Sequence, residues 1–284
     1  MTDSIDCSIA ALNLHPIKSC AGIAVDEALL IETGLQLDRA WMVVDARGDK
    51  LTQRELPRMA LIRITLRGDD MVLRAPGMLA LHVSLDAVEA PTRAQIWRDE
   101  VKAYDMGALA AQWFSDYLGQ PARLVRFDPE QKRLSDPHWT GAVAAENAFA
   151  DAFPLMLTST ASLADLNQRL VAQGLTPVTM DRFRANLVLD GIQAYDEDHL
   201  DEITIDAEGG PVRLKLVKPC TRCTIPSVDP QTGVQGQQPG DTLAGYRADA
   251  RVGGGITFGM NAVILEGFDR VLRLGQRGAA TWGI

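Results

Sequence analysis

Residues 212–229 read VRLKLVKPCTRCTIPSVD, and this stretch joins a strand pattern to a pair of cysteines. Val212 and Leu214 alternate with charged residues, which is the two-residue period of a half-buried strand. The pattern ends at a proline, and Cys220 and Cys223 follow it with two residues between them. The sequence therefore predicts a strand that runs directly into a Cys-x-x-Cys motif.

The Cys-x-x-Cys motif has several chemical interpretations, which the surrounding residues help to separate. A structural zinc site needs a second ligand pair, and Cys7 and Cys20 are spaced too widely to form one. A thioredoxin-type dithiol opens a helix, which Pro226 disfavours. A single thiolate, acting as metal ligand or nucleophile, is favoured by the charges of Lys218 and Arg222. That interpretation stays open beside another, in which both cysteines are small buried hydrophobic residues.

The composition is that of an ordinary soluble globular protein. The 284 residues suffice for one large domain or for two packed domains. Asp and Glu number 37 against 28 Lys and Arg, and the net charge of −9 argues against a dedicated binder of nucleic acid or acidic membranes. Four cysteines are too few for a disulfide scaffold in a chain of this length.

The N-terminal segment predicts no export signal. Asp3 and Asp6 precede or interrupt its first apolar run and no basic region comes before it, unlike a signal peptide. No stretch approaches the roughly 18 consecutive apolar residues of a spanning helix. We therefore expect a cytoplasmic protein without an integral membrane segment, whose thiols stay reduced.

Short strands and a few helices are predicted along the chain. Before about residue 105, short apolar runs alternate with Gly, Asp and Pro, and residues 95–104 show the alternation of one strand. Apolar residues at helical spacing predict helices at residues 107–118 and 162–173. Strands are predicted again at residues 186–189, 203–205, 212–217 and 262–265. The fold class is therefore mixed α/β and β-dominated, with two domains.

Several basic residues lie at predicted strand ends although the chain is acidic. They are Lys18 beside Ser19, Arg39 after Asp38, Arg54 and Arg58, and Arg182 with Arg184 before Asn186. Cations beside hydroxyl and amide donors supply the charge and the directed hydrogen bonds that a phosphate or another oxyanion needs. Taken singly, each of these residues is more typical of a solvated surface side chain than of a binding site. The four histidines form no recognisable nucleophile arrangement with Ser or Cys, so a hydrolase triad is not supported.

Seven motifs in one order resemble the MOSC superfamily, and among its members the two-domain relatives of the amidoxime-reducing components. They are HPIKSCAG (15–22), LDRAWMVVD (37–45), TQRELPR (52–58), FPLMLTSTASLADLN (153–167), MDRFRANLVLDG (180–191), KPCTRCTIPSVDPQTG (218–233) and FGMNAVIL (258–265). The resemblance implies an N-terminal MOSC β-barrel domain at residues 1–120. It is expected to pack on a MOSC β-barrel domain with a few helices at residues 121–284.

The resemblance also implies a molybdenum cofactor, a pterin-based group, between the two domains. In relatives with a C-x-R-C pattern the second cysteine binds molybdenum, which here is Cys223, and a soft thiolate suits that metal. The matching positions imply pterin and phosphate contacts from Lys18, Ser19, Arg39, Ser159, Arg184 and Asn186. Cys220 is either a supporting thiol or packing, and Asp229 is expected to fix a turn.

The function implied is that of an oxidoreductase that removes oxygen from N-hydroxylated or N-oxide small molecules. The chain lacks the cysteines of a ferredoxin domain after Ile284, so the electrons are expected from a separate haem or iron–sulfur protein. The protein itself would bind and orient the cofactor. A competing hypothesis is a carrier, which would deliver molybdenum cofactor or relay sulfur on Cys223 to other enzymes.

Overall fold

The computed structural model describes residues 4–87 and 90–283. Its strands are β1 (Ser4–Leu14), β2 (Ile23–Val25), β3 (Glu27–Ile31), β4 (Gly34–Leu35), β5 (Trp41–Val44), β6 (Arg63–Arg67), β7 (Asp70–Arg74), β8 (Leu81–Ser84), β9 (Ala90–Ile96), β10 (Asp99–Asp105), β11 (Arg123–Phe127), β12 (Leu155–Ser159), β13 (Leu187–Asp190), β14 (Leu200–Ala207), β15 (Gly210–Thr221), β16 (Ala248–Asp249), β17 (Gly255–Glu266), β18 (Val271–Arg273) and β19 (Arg277–Trp282). The helices are α1 (Gly107–Leu118), α2 (Pro137–Thr140), α3 (Thr160–Ala172) and α4 (Gly240–Ala244). The β-dominated prediction is confirmed. In the described ranges, no helix has the length and apolar character needed to cross a bilayer.

The largest sheet of the described residues closes into a barrel. Its strands follow the order β12-β13-β1-β19-β14-β15-β17, and β17 pairs back onto β12. The pair β12–β13 is parallel, and α3 lies on the connection between these two strands. Apolar side chains of every second position fill the interior, among them Ile9, Leu157, Leu189, Leu214 and Ala280. The barrel thus takes one strand from the start of the chain and the others from its second half.

Two smaller sheets and α1 make a second core. One sheet has the order β5-β11-β10-β9 and the other the order β6-β7-β8. The aromatic side chains of α1 pack into this core, where Trp113 and Tyr117 stack with ring centroids 5.9 Å apart. The predicted domain boundary at residue 120 stays a prediction. Elements on each side of it pair across it, since β1 belongs to the barrel and β11 pairs with β5 and β10 of the four-stranded sheet.

Local signals place several elements accurately. Helix α1 has the predicted bounds, and Gly119 ends it in the left-handed conformation at φ 72°. Helix α3 begins two residues earlier than predicted, because the hydroxyl of Ser159 accepts a hydrogen bond from the Ser162 backbone N–H at 3.0 Å. Strand β15 extends beyond the predicted range to Thr221, which includes Cys220 in the strand and leaves Cys223 beyond its end.

The prediction of one strand at residues 95–104 is wrong. The segment is a hairpin, in which β9 and β10 pair antiparallel with Ile96 opposite Asp99. The chain reverses at Trp97, whose backbone has a positive φ of 55°. Alternation continues through both strands, so the sequence pattern does not reveal the reversal, and a tryptophan is not a typical turn residue.

Gly259 is the position in β17 where a side chain is least tolerated. Its φ is +77°, and an added Cβ would lie 2.4 Å from the carbonyl oxygen of Leu157 on the neighbouring strand. We expect Gly259→Ala to lower the free energy of unfolding by about 2–3 kcal/mol, measured by urea denaturation. Gly253→Ala is the matched control, because Gly253 also has a positive φ of +68° but open space around its Cβ position. Equal losses in the two variants would contradict the packing argument.

Candidate functional site

A cavity lies where the barrel meets the segments that carry β5 and the turn after β1. Its lining includes six of the residues predicted from the sequence: Lys18, Ser19, Arg39, Arg184, Asn186 and Cys223. Side chains that the prediction did not include also line it, namely Arg54, Asp151, Cys220, Arg222 and Asn261. Cations outnumber carboxylates on this surface, although the chain as a whole is acidic.

The backbone is strained at three of these residues. Ser19, Arg39 and Arg184 have positive φ angles of 66°, 47° and 58°. A left-handed conformation in a residue other than glycine costs on the order of 1 kcal/mol or more and is concentrated at functional sites. The three strained positions lie on one cavity, which marks it as a candidate for function rather than a packing gap.

Arg39 and Asn186 hold the site together. The Arg39 guanidinium donates to the side-chain oxygen of Asn186 at 3.0 Å and to the backbone carbonyl of Arg184 at 3.0 Å. The Asn186 side chain also accepts from the backbone N–H of Met156 at 3.2 Å and donates to the carbonyl of Asn13 at 3.3 Å. These bonds join Arg39 and β1 to β12 and to the segment before β13, so both side chains fix neighbouring groups as well as lining the cavity.

Arg184 has donor capacity that the protein does not use. One of its terminal nitrogens donates to the Cys20 carbonyl at 2.6 Å, whereas Nη2 is buried without a hydrogen-bond partner among the described residues. Burial, with the nearby charge of Arg39, lowers the pKa of Arg184 to about 10, so the group is still a cation at neutral pH. An unpaired buried cation is costly, and an anionic ligand at this position would offset that cost.

The four cysteines differ sharply in their surroundings. Cys7 and Cys20 are buried, and burial raises the pKa of Cys7 to about 11 and that of Cys20 to about 12, so both remain neutral thiols. Cys220 is half-buried, and its sulfur accepts a hydrogen bond from Arg222 Nη1 at 2.9 Å. Cys223 is exposed to the cavity and is a free thiol.

Arg54 reaches the same thiol from the other half of the chain. Its guanidinium lies within hydrogen-bonding reach of Cys223 and 4.0 Å from the Asp151 carboxylate. Burial acts to lower the pKa of Arg54, but the contacts with Cys223 and the charge of Asp151 outweigh that effect and raise it. Cys223 therefore has two cations beside it: Arg54 from the N-terminal half of the chain and Arg222, its neighbour in sequence.

Both halves of the chain match known protein families. Residues 7–121 match the MOSC N-terminal beta barrel domain, and residues 144–277 match the MOSC domain. The mitochondrial amidoxime-reducing component 1 of Homo sapiens is 37% identical over 251 residues, which cover 84% of this chain and 72% of that protein. The mitochondrial amidoxime reducing component 2 of Rattus norvegicus is 36% identical over 252 residues, with 84% and 72% covered.

The chain belongs to the MOSC family. The resemblance inferred from the ordered motifs is thereby confirmed, for the N-terminal segments as well as for the Cys-Thr-Arg-Cys stretch. In this MOSC protein the two matched regions meet at the cavity, because Lys18, Arg39 and Arg54 come from the first and Arg184 and Cys223 from the second.

Ser159 lies apart from the cavity lining of this MOSC protein. It is fully buried at the start of α3, where its hydroxyl donates to Glu197 Oε2 at 3.0 Å. Glu197 also accepts from Ser162 Oγ at 2.6 Å, and burial raises the pKa of its carboxyl. The structure therefore gives Ser159 the surroundings of a helix cap and does not bring it to the other predicted contacts.

Two side chains at the site could not be assigned from the sequence. The sequence indicated Arg54 as one of the basic residues at predicted strand ends, but nothing in the sequence places it beside Cys223. Asp151 gave no signal, because its contact with Lys18 spans 133 positions of the chain. Asp229 lies outside the cavity, and its carboxylate accepts from the backbone N–H groups of Gln231 and Thr232 at 2.8 and 3.0 Å, as expected for a turn.

Proposed function

We propose that this protein is a molybdenum-cofactor-dependent oxidoreductase that reduces N-hydroxylated or N-oxide small molecules. Two kinds of support carry the proposal. The relatives named above are amidoxime-reducing components, and the chain aligns with them over most of its length. The cavity combines an exposed cysteine thiol with two arginine nitrogens, Arg184 Nη2 and Arg222 Nε, that are buried without a hydrogen-bond partner among the described residues. That combination is the single observation on which the proposal depends most.

The residues present are compatible with a molybdenum cofactor. Such a group needs a soft ligand for its metal, and the exposed thiol of Cys223 provides one. It also carries a phosphate and polar pterin atoms, which need cationic and hydrogen-bonding donors. Arg184 Nη2 and Arg222 Nε are buried in the same cavity lining without partners among the described residues. The chemistry of the donor set therefore matches the group.

Each residue would then have a distinct task. Cys223 would hold the metal, and Arg184 would bind an anionic part of the group. Arg39 and Asn186 would keep Arg184 and the neighbouring strands β1 and β12 in place through the hydrogen bonds described above. Lys18 and Ser19 would line the same side of the cavity. When bound, the cofactor supplies the redox chemistry that separates oxygen from nitrogen.

The overall reaction needs more than the cavity supplies. Reduction of an N–OH group to N–H with release of water consumes two electrons and two protons. We propose that the electrons come from a separate haem or iron–sulfur protein. A cytoplasmic location and the absence of nucleic-acid binding stay predictions of the sequence.

A carrier of molybdenum cofactor or of sulfur is the second candidate function. The exposure of Cys223 favours it, because a thiol at the surface is accessible to another protein. The two functions differ in turnover. We expect the molybdenum-loaded protein to reduce benzamidoxime to benzamidine with a reduced viologen as electron donor. Chromatography of the benzamidine formed measures the turnover. A protein that contains molybdenum but shows no turnover above a buffer control would favour the carrier and contradict the proposed enzyme.

A further inference from the structure

We propose that the Asp151 carboxylate occupies an anion-binding position of the cavity, formed by Lys18 and Arg54, and competes there with an incoming phosphate. This inference rests on the proposed function, since it concerns how the same cavity takes up a phosphate-bearing group. It assigns Asp151 a role that opposes binding, unlike the cations around it. The ligand chemistry is that of a phosphate or phosphate monoester.

The contacts of Asp151 resemble those of a bound anion. Its Oδ1 accepts from Lys18 Nζ at 2.6 Å and from the indole N–H of Trp97 at 3.1 Å. Its Oδ2 faces Arg54 Nη2 at 4.0 Å. A small oxyanion held by a lysine, an arginine and a neutral N–H donor would make contacts of the same kind.

Lys18 has little capacity for a second anion while Asp151 stays in place. Its side chain is buried, and its ammonium donates to the Phe149 carbonyl at 2.9 Å as well as to Asp151. Burial lowers the pKa of Lys18, while the carboxylate of Asp151 acts in the opposite direction. Lys18 and Asp151 thus form an ion pair in which the cation is shielded from solvent.

The backbone around Asp151 is held firmly in this position. Arg133 donates to the carbonyls of Ala148, Ala150 and Asp151 at 3.0, 2.7 and 3.0 Å. Arg133 is itself buried and paired with Asp99 at 2.7 Å. Residues 127–139 are mostly polar and include two prolines, which is typical of a surface loop, so a buried arginine in that segment is unexpected. Its hydrogen bonds fix the backbone that carries the Asp151 carboxylate, although that side chain is 56% exposed.

Trp97 completes the arrangement from the β9–β10 hairpin. Its indole N–H reaches Asp151, and its ring lies 4.7 Å from the guanidinium of Arg54 and 4.0 Å from the ammonium of Lys50. The ring is 47% exposed, which places it at the edge of the site. One side chain thus contacts both the competing carboxylate and the cation that faces it.

The electrostatic consequence is a penalty on any anion that enters. Loss of solvation acts to raise the pKa of Asp151. The charges of Lys18 and Arg54 and the hydrogen bonds from Lys18 and Trp97 outweigh this effect and hold that pKa below its usual range. The carboxylate is therefore charged at neutral pH. A phosphate that approaches Lys18 and Arg54 meets a like charge at contact distance, and it must displace the carboxylate or share the two cations with it.

The experiment uses the full chain, produced in a host that cannot make the pterin cofactor, with inorganic phosphate as the probe. We expect Asp151→Asn to bind phosphate at least about tenfold more tightly than the unaltered chain, measured by calorimetry. Asp229→Asn is the matched control, because it removes a carboxylate that pairs with Arg182 at 2.8 Å outside the cavity lining. Its phosphate affinity should stay within about twofold of the unaltered chain.

A second substitution tests where the added phosphate binds. Lys18→Met in the Asp151→Asn chain should remove the gain, and a gain that persists would overturn the proposal. Equal affinities for Asp151→Asn and Asp229→Asn would also overturn it. If Asp151→Asn fails to fold, Asp151→Ser takes its place, since it also removes the carboxylate and should tighten phosphate binding by a similar factor. In that case an unchanged affinity overturns the proposal. None of these phosphate affinities depends on molybdenum. A result that overturns the role of Asp151 is therefore distinguishable from one that overturns the proposed function.

Discussion

Replacement of Cys223 by alanine should reduce the molybdenum content of the purified chain from near one atom per chain to below about a tenth of that. The thiol of Cys223 is exposed at the cavity, whereas Cys7 and Cys20 are buried and neutral. A thiolate is the soft ligand that a thiophilic metal prefers, and Cys220 is the other cysteine among the residues that line the cavity. Metal analysis of protein from a host that makes the cofactor measures the effect, and viologen-driven turnover should fall in parallel.

Cys7→Ala is the control for this experiment. Cys7 lies in β1 with its side chain in the barrel core, so its loss changes packing without touching the cavity. We expect this variant to keep its molybdenum. Full molybdenum content in Cys223→Ala would show that the metal is held in some other way, and loss from both variants would show that the effect is one of folding.

The second large effect is expected at Arg184. Arg184→Met should weaken retention of the cofactor on dialysis by at least about tenfold, because it removes a cation whose buried Nη2 has no hydrogen-bond partner among the described residues. The same change should leave the cofactor-free chain at least as stable as before. The reason is that the arginine is buried beside Arg39, and this burial and repulsion already lower its pKa to about 10.

Arg182→Met provides a comparison two residues away. Arg182 donates to the carbonyl of Val228 at 3.1 Å and pairs with Asp229 at 2.8 Å, and it is not among the residues that line the cavity. We expect this variant to lose stability in urea denaturation but to retain the cofactor. If Arg184→Met lost stability and kept its cofactor, the role assigned to Arg184 would be wrong.

The sequence predicted what depends on neighbouring residues. Helix α1 could be placed because its apolar spacing and the glycine after it are local signals, and β15 because its alternation leads into the cysteines. The gathering of Lys18, Arg39, Arg184 and Cys223 was expected from the family resemblance, not from spacing. The structure brings these side chains to one cavity, while their roles toward a cofactor stay predictions.

Contacts between distant segments could not be predicted. Strand β1 closes the barrel by pairing with β13 and β19, and no pattern within residues 4–14 indicates these partners. Asp151 was missed for the same reason, since a carboxylate in an irregular segment looks solvated until its partners are known. The contact of Arg54 with Cys223 was likewise not indicated by the sequence. Ser159 differs from these residues, because its role depends on a local contact. A serine at the start of a helix is a typical N-cap residue, so this role could have been predicted from the sequence.

The central claim is that the cavity holds a molybdenum cofactor through Cys223. The most direct test is the molybdenum and pterin content of the unaltered full chain, purified from a host that makes the cofactor. The account predicts molybdenum and pterin together, each close to one per chain. A chain with neither, purified from a host that loads another molybdenum enzyme normally, would contradict it.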